Sequence, residues 1–313
     1  MLTRISGIPT DERRPAIRVV RPILRYRGQY LAVALVLPSA AVVFTAMLLP
    51  LGYAVVMSLF DYRPGFETKG KFLFLDNYFH FFQDQLALLA FGQTLLFTFF
   101  ALLLELLIGL GISILLLSIP AGIGKILRAI FCMPLLISPI IVGLMWRYMY
   151  DPTFGVIYYL LSCIGLDGYF GGLQQPGWAM FCVILSDVWE TTPFVILCTT
   201  AGLVAIPVDL YEAARIDGAN WLHTFFRITL PSLKGVLAVV LVIRGTDAFR
   251  VFDIIYALTN GGPANSTLSL SIYAFKKGFE QYQMGYAMAV SIIMLVALAC
   301  IFGPLLRPSE VSN

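Results

Sequence analysis

Apolar residues in this chain gather in runs long enough to cross a bilayer, separated by shorter polar stretches. A helix needs about 20 consecutive apolar residues to span the hydrocarbon core. The pattern predicts spans near 31–58, 90–119, 127–149, 178–205, 233–258 and 285–306. The expected fold is therefore all-α, with six transmembrane helices, because helices satisfy their own backbone hydrogen bonds in lipid. The first run, from about Tyr30 to Phe60, is too long for a signal-peptide core and lacks a small-residue cleavage pattern at its end, so it reads as a retained span. No internal repeat or low-complexity tract divides the chain. The expected layout is a basic segment over 1–29, one membrane domain over 30–307 and a short tail over 308–313.

Composition strengthens this reading: 59% hydrophobic and 12% charged residues exclude an ordinary soluble enzyme. Charge then gives orientation. Seven arginines, Arg4, Arg13, Arg14, Arg18, Arg21, Arg25 and Arg27, precede the first run, and a basic flank beside a span fixes topology and touches anionic lipid rather than nucleic acid. Lys125 and Arg128 follow the second run, Arg215, Arg227 and Lys234 follow the fourth, and 151–177 has no basic residue. Positive charge marks the cytoplasmic side. Both termini, the 120–126 turn and the 206–232 loop are expected inside; 59–89, 150–177 and 259–284 are expected outside, with Lys276 and Lys277 as the exception. The five cysteines show no CxxC or Cys/His spacing, so they read as small apolar residues, with no disulfide framework or metal site.

Polar residues inside the runs carry the functional signal. Pro38, Pro50, Pro134, Pro139 and Pro193 each remove a backbone donor, and together they fit bent helices around a translocation path. An ionised side chain at the bilayer centre costs at least about 2.5–3.5 kcal/mol, so it must face protein or water. Glu105, Asp187 and Glu190 are such residues, the last flanked by Trp189 and Thr191. The fifth run carries Arg244, Asp247, Arg250 and Asp253 at intervals of three, which on one helix form a spiral of alternating charge. Two readings stay open: an ion-pair ladder that lets a polar helix insert, and a lining of the path. A proton relay through these carboxylates is a further alternative, that of an ion-coupled secondary transporter. Gly261-Gly262-Pro263 then places Thr259 and Asn260 at the outer mouth. Leu268, Ile272, Phe275 and Phe279 recur at helical spacing beside Lys276, Lys277 and Glu280, predicting an amphipathic helix along the interface. Trp146, Tyr150 and Trp189 fit sugar-stacking or, more simply, interfacial anchoring.

The stretch EAARIDGANWLHTFFRITLP, residues 212–231, breaks the apolar pattern on the expected cytoplasmic side. Pro207 ends the fourth span, Asp209 offers a capping oxygen, and Gly218 ends a short helix that Asn220 follows as the cap of a second, limited by Pro231. Ala213 and Ala214 offer a surface for close approach, with Glu212, Arg215 and Asp217 as charged groups around it. His223 beside Glu212 or Asp217 lacks the nucleophile or metal a catalytic site requires.

Glu212-Ala213-Ala214, three residues, Gly218, nine residues, then Ile228-x-Leu230-Pro231 resembles the EAA signature of permease subunits in bacterial binding-protein-dependent ABC importers. WETTPFVILCTTAGLVAIPVDLYEAARIDGAN, RAIFCMPLLISPIIVGLMWRYMYDPTFG and FDIIYALTNGGPANSTLSLSIYAF resemble the maltose and glycerol-phosphate type, closest to the first of its two permeases, over nearly the whole chain from about residue 30. The resemblance implies a permease in the bacterial inner membrane working by alternating access. Its solute would be a sugar, oligosaccharide, polyol or glycerol-phosphate derivative. It further implies that Glu212, Ala213, Ala214, Asp217, Gly218, Ile228, Leu230 and Pro231 couple to an ATPase, while spans bearing Glu105, Trp189, Glu190, Thr191, Arg244, Asp247, Arg250, Asp253 and Asn260 form the path. Implied partners are a second permease, two ATPase subunits, which bind the ATP and Mg, and an extracytoplasmic solute-binding protein; no cofactor is expected on this chain, in keeping with the lack of a GxxxxGK[ST] sequence. The chain departs from the maltose permease in lacking a large extracytoplasmic insertion, and Met284 stands before Gly285 where relatives often have tyrosine.

Overall fold

The computed structural model describes residues 23–65 and 70–306; Arg4, Arg13, Arg14, Arg18, Arg21 and the tail 308–313 lie outside the described residues. The chain divides into two units, one ending at Tyr53 and one starting at Ala54. In the first, α1 (Ile23–Val43) contains Pro38 and runs through a π turn (Phe44–Leu48) into α2 (Leu49–Met57), whose residues from Ala54 on belong to the second unit. Val33–Met57 is long and apolar enough to be a span.

In the second unit, β1 (Phe60–Asp61) and β2 (Lys71–Phe72) pair antiparallel before α3 (Asp76–Gln83) and the long α4 (Gln85–Ser118). Next come α5 (Ala121–Cys132), α6 (Pro139–Met149), α7 (Val156–Cys163) and α8 (Pro176–Val204). The chain continues through α9 (Val208–Ile216), α10 (Trp221–Thr224), α11 (Leu230–Phe249), α12 (Asp253–Leu258), α13 (Leu270–Phe275) and α14 (Met284–Phe302).

Helices α4 and α8 form the centre. They approach closely because Gly109 faces Val195, where an added Cβ would meet Val195 Cγ1 at 2.7 Å. Small residues permit such approach in membrane bundles, and polar side chains lock it. Here Ser113 Oγ and Thr199 Oγ1 share a 2.7 Å hydrogen bond, both fully buried. Pro193 lies inside α8 without ending it.

Five described helices are long and apolar enough to cross a membrane, and six spans result if one sharply bent pair counts as one. That pair refines the expected third span near 127–149, which is not one bent helix but two helices: Gly122–Leu136 and Pro139–Met149 meet at 97°. Proline disfavours helical geometry in the residue before it, and Ser138 ahead of Pro139 is extended (φ −67°, ψ 139°). Pro134 and Pro139 therefore sit at the start of a 3₁₀ turn and of a helix, not inside one.

The fifth span is corrected at both ends. It is helical without interruption from Trp221 to Phe249, through a π turn at Phe225–Thr229, so Pro231 does not limit the preceding helix. The π turn lies just ahead of Pro231, with Leu230 N donating to the Phe225 carbonyl. The helix then breaks at 250–252, where Phe252 takes φ −134° and ψ −60°. Val251's freed carbonyl accepts a 3.0 Å hydrogen bond from Ser269 Oγ, and Ser269 Oγ also caps α13. The charge series thus lies on two helices and a break, not on one spiral.

Residues 268–280 do not lie along an interface. Leu268, Leu270, Ile272 and Tyr273 are buried in the main core with Phe97, Val142 and Val183, leaving Phe279 exposed. Trp146 and Tyr150, expected as anchors or sugar platforms, are likewise core residues; Tyr150 donates to the Cys182 carbonyl at 3.2 Å.

Asp84 joins this region to α4. Its carboxylate caps α4, accepting from Leu86 N at 2.9 Å and Ala87 N at 3.3 Å, and also accepts from the Tyr273 hydroxyl, with Lys277 Nζ at 3.8 Å. Burial pushes the carboxyl up, but the hydrogen bonds from Tyr273 and the two amides, with Lys277, outweigh it and hold it below its ordinary 3.8. A depressed carboxylate contributes stability that is present above the unfolded value and is lost as pH falls through the folded one. Asp84→Asn retains a capping oxygen but loses the charge. Its thermal midpoint is expected below wild type at pH 7, with the gap closing as the pH drops below 3.8; a gap unchanged at low pH would assign the effect to packing.

Candidate functional site

Two features at different depths bring the polar residues together. The deeper one is built on α4, α8 and α11. Arg244 enters the core and donates from Nε to Glu105 Oε2 at 2.8 Å, from Nη2 to Glu105 Oε1 at 2.7 Å, and from Nη2 to Asp187 Oδ2 at 3.0 Å. Thr191 Oγ1 donates to Glu105 Oε1 at 2.9 Å. Glu105 is 0% exposed and Arg244 6%, so one fork-shaped guanidinium ties three helices in a dry setting. Arginine suits this position because its planar donors match a carboxylate edge and its charge is never lost.

Beside this cluster opens a cavity of about 450 Å³, between α8, α11, the 250–252 break and the start of α12. Asp187, Glu190, Asp247 and Asp253 line it together with Arg244 and Arg250, and Thr191, Phe194 and Phe252 complete its wall. Of the expected ladder, one rung exists: Arg250 Nη2 donates to Asp247 Oδ1 at 2.6 Å, an exposed pair of the kind worth little. Arg244 reaches across to other helices, not along its own, and Asp253 is in no described ion pair. Glu105 lies behind Arg244, out of the cavity wall. Trp189 points elsewhere, edge-on to Trp146 at 5.8 Å, and Asn260 sits in the loop after α12, its carbonyl accepting from Lys276 Nζ at 2.8 Å. Phe194 and Phe252 were not singled out in the sequence, where they look like any other core aromatic.

The second feature is the 206–232 loop. Helix α9 starts after Pro207, and Asp209 lies inside its first turn where no side chain caps it, so the expected Asp209 cap is replaced by a charge near the positive end of the helix. The C-terminal end closes with Ala219 N donating to Ala214 O and Gly218 N to Arg215 O, at 2.9 and 3.1 Å. This paired closure requires a left-handed residue, and Gly218 has φ +73°. Asn220 Oδ1 then accepts from His223 N at 2.8 Å and starts α10, as the sequence leads one to expect.

Glu212, Ala213, Asp217 and Gly218 are exposed on this loop, whereas Ala214 is buried at 8% exposure. Only Ala213 of the alanine pair therefore offers an open surface. A concavity of about 580 Å³ lies between the two short helices, lined by Ala213, Ala214, Asp217, Gly218, Ile228 and also His223 and Arg227. Glu212, Leu230 and Pro231 stand outside it. Tyr211 and Thr229 hydroxyls bond at 3.1 Å, and Leu203, Ile206 and Leu233 pack together beneath the loop. The loop is thus attached firmly to α8 and α11, and α11 carries Arg244.

A family model described as "Binding-protein-dependent transport system inner membrane component" matches residues 32–309. The chain belongs to this family. Its members are membrane components of transport systems, not enzymes, and this chain is a permease of that kind. It is similar to the trehalose/maltose transport system permease protein MalF of Thermococcus litoralis, 38% identical over 87% of this chain and 92% of that one. The sulfoquinovosyl glycerol transport system permease protein SmoG of Agrobacterium fabrum is 31% identical over 88% and 89%. Among solved structures, a bacterial ABC transporter importing the acidic polysaccharide alginate includes a chain with a TM-score of 0.75 and 26% identity, covering 90% of this chain and 96% of its own. The same transporter is known bound to its pentasaccharide-loaded periplasmic protein. The family's permeases lie in the inner membrane and serve binding-protein-dependent systems.

Proposed function

We propose that this permease carries a sugar, oligosaccharide, polyol or glycerol-phosphate-type solute by alternating access, driven by ATP hydrolysed on separate subunits. Its relatives act in trehalose/maltose, sulfoquinovosyl glycerol and sn-glycerol-3-phosphate systems. The complex contains a second permease, two ATPase subunits that hold ATP and Mg, and an extracytoplasmic binding protein. Both termini and the 206–232 loop face the cytoplasm, in keeping with the arginines and lysines there. The translocation path runs through the cavity at Glu190, Asp247, Arg250 and Asp253, with Glu105 and Arg244 bracing its wall.

The observation that supports this best is the unbroken helix from Trp221 to Phe249. One end starts in the exposed loop and the other bears Arg244 and Asp247 at the cavity. A partner that seats on the loop and tilts it moves the cavity wall directly, and coupling of this kind needs only different loop contacts in the two states. An ion-coupled transporter has no use for such a loop. Tagged chain expressed with its partners is expected to co-purify with an ATPase subunit; co-purification that survives deletion of 209–220 would overturn the assignment of the loop.

A further inference from the structure

A second cavity of about 430 Å³ lies beside the 206–232 loop, lined by a different face of α9 from the one that carries Ala213. Tyr211 and Arg215, one turn apart on α9, line it together with Trp221 and Phe225, whose rings stack at 5.9 Å and 19°. Arg215 is the one charged residue in this lining, and its guanidinium makes no hydrogen bond or ion pair among the described residues. Leu117 and Leu203 complete the apolar part. Each stands next to the end of its span, Gln85–Ser118 or Pro176–Val204, and Trp221 is the first residue of the span that follows. Three spans thus end or begin at the cavity, which places it where hydrocarbon gives way to the polar interface. Leu117 is 40% exposed and Trp221 67%, so the lining is open to its surroundings.

We propose that this cavity binds an anionic phospholipid of the inner leaflet, with the phosphate on Arg215 and an acyl chain against Leu117, Trp221 and Phe225. The proposal rests on the cytoplasmic placement of the loop and adds a lipid to the importer reading above. A guanidinium presents planar donors that match phosphate oxygens, and no carboxylate lines the cavity to oppose an anion. Tryptophan concentrates at the membrane–water boundary, and basic side chains there draw anionic lipid. Lipid is the solvent at that depth, so an open apolar cavity fills with acyl chain without a dedicated protein partner. Tyr211 and Arg215 share α9 with Ala213, so the lipid touches the same short helix on which the proposed ATPase seats.

The test uses the whole complex in phosphatidylcholine nanodiscs that contain increasing fractions of phosphatidylglycerol or phosphatidylcholine brominated on the acyl chains near the headgroup. Bromine quenches tryptophan on contact, and the signal of Trp221 is the difference between the parental complex and one carrying Trp221→Phe. Half-quenching is expected at about a fivefold lower fraction of brominated phosphatidylglycerol than of brominated phosphatidylcholine, the preference one arginine gives near a bilayer surface. Arg215→Gln is expected to make the two lipids equal. Equal quenching by both lipids in the parental complex would overturn the proposal, by leaving only bulk lipid at the site. Absence of quenching would overturn it by showing that a protein partner covers the cavity, and a preference unchanged in Arg215→Gln by assigning the selectivity elsewhere. Should the glutamine variant fail to assemble, the parental comparison decides. Both nanodisc leaflets have the same composition, so the result does not depend on which side the loop faces. Failure of this proposal leaves ATP-driven uptake intact, whereas failure of the importer reading abolishes ATP dependence and leaves the quenching as it is.

Discussion

Replacing Arg244 by methionine is expected to destabilise the bundle by about 3–5 kcal/mol, because removing one partner of a buried ion cluster leaves the others charged and uncompensated. The stranded groups are Glu105, at 0% exposure, and Asp187, at 6%. The cost arises from the orphaned carboxylates and not from the loss of attraction alone, which gives the prediction a second arm. Arg244→Met combined with Glu105→Gln and Asp187→Asn is expected to recover much of the stability, since neutral amides cost less to bury. Thermal unfolding of the purified protein in detergent, followed by the loss of monodisperse material, checks both. A single variant as stable as wild type would show that the cluster does not hold α4, α8 and α11 together. Equal loss in the single and triple variants would show that geometry, not charge, is what Arg244 supplies.

Ala213→Trp is expected to reduce ATP-driven uptake more than tenfold while leaving the thermal midpoint within a degree or two. Ala213 is exposed on α9 and lines the concavity between the two short loop helices. An indole there costs the isolated bundle little, since surface substitutions away from special features shift stability by about 0.5 kcal/mol or less. It fills the surface on which the proposed ATPase sits. Gly218→Val makes the complementary case. Open space surrounds Gly218, but its φ of +73° penalises a side chain, and a β-branched residue there costs about 1–2 kcal/mol or relaxes the turn between α9 and α10. Uptake should fall in both variants, with the midpoint moving only in the second. Parental uptake in Ala213→Trp would remove the open alanine from the coupling surface.

Several of these features are visible in the sequence because they are local. Apolar run length marks the spans, Gly218 ends one short helix, Asn220 starts the next, and the spacing from Glu212 to Pro231 carries the family resemblance. What escapes is whatever depends on distant partners. Arg244 meets Glu105 at a separation of 139 positions, so the fifth run reads as a ladder when its arginine in fact reaches across the bundle. The helix break at 250–252 has no proline or glycine to announce it; it persists because Ser269 takes the carbonyl that Val251 frees. Residues 268–280 read as an interfacial helix because their lysines are conspicuous, yet Lys276 and Lys277 find the Asn260 carbonyl and Asp84, while Leu268 and Ile272 are buried in the core. Pro231 looks like a terminator, but the helix runs through it directly after a π turn. All but the last are contacts between residues separated in sequence that override a local signal.

The central claim is that motion applied to the 206–232 loop by an ATP-hydrolysing partner opens and closes the acid-rich cavity. The most direct measurement is solute uptake into proteoliposomes containing the complete complex, with ATP enclosed on the loop side and the loaded binding protein on the other. Accumulation is expected only with ATP present and is expected to persist when proton and sodium gradients are collapsed. Uptake that proceeds without ATP and stops when an ion gradient is removed would contradict the claim and return Glu190, Asp247 and Asp253 to the role of ion-coupling groups.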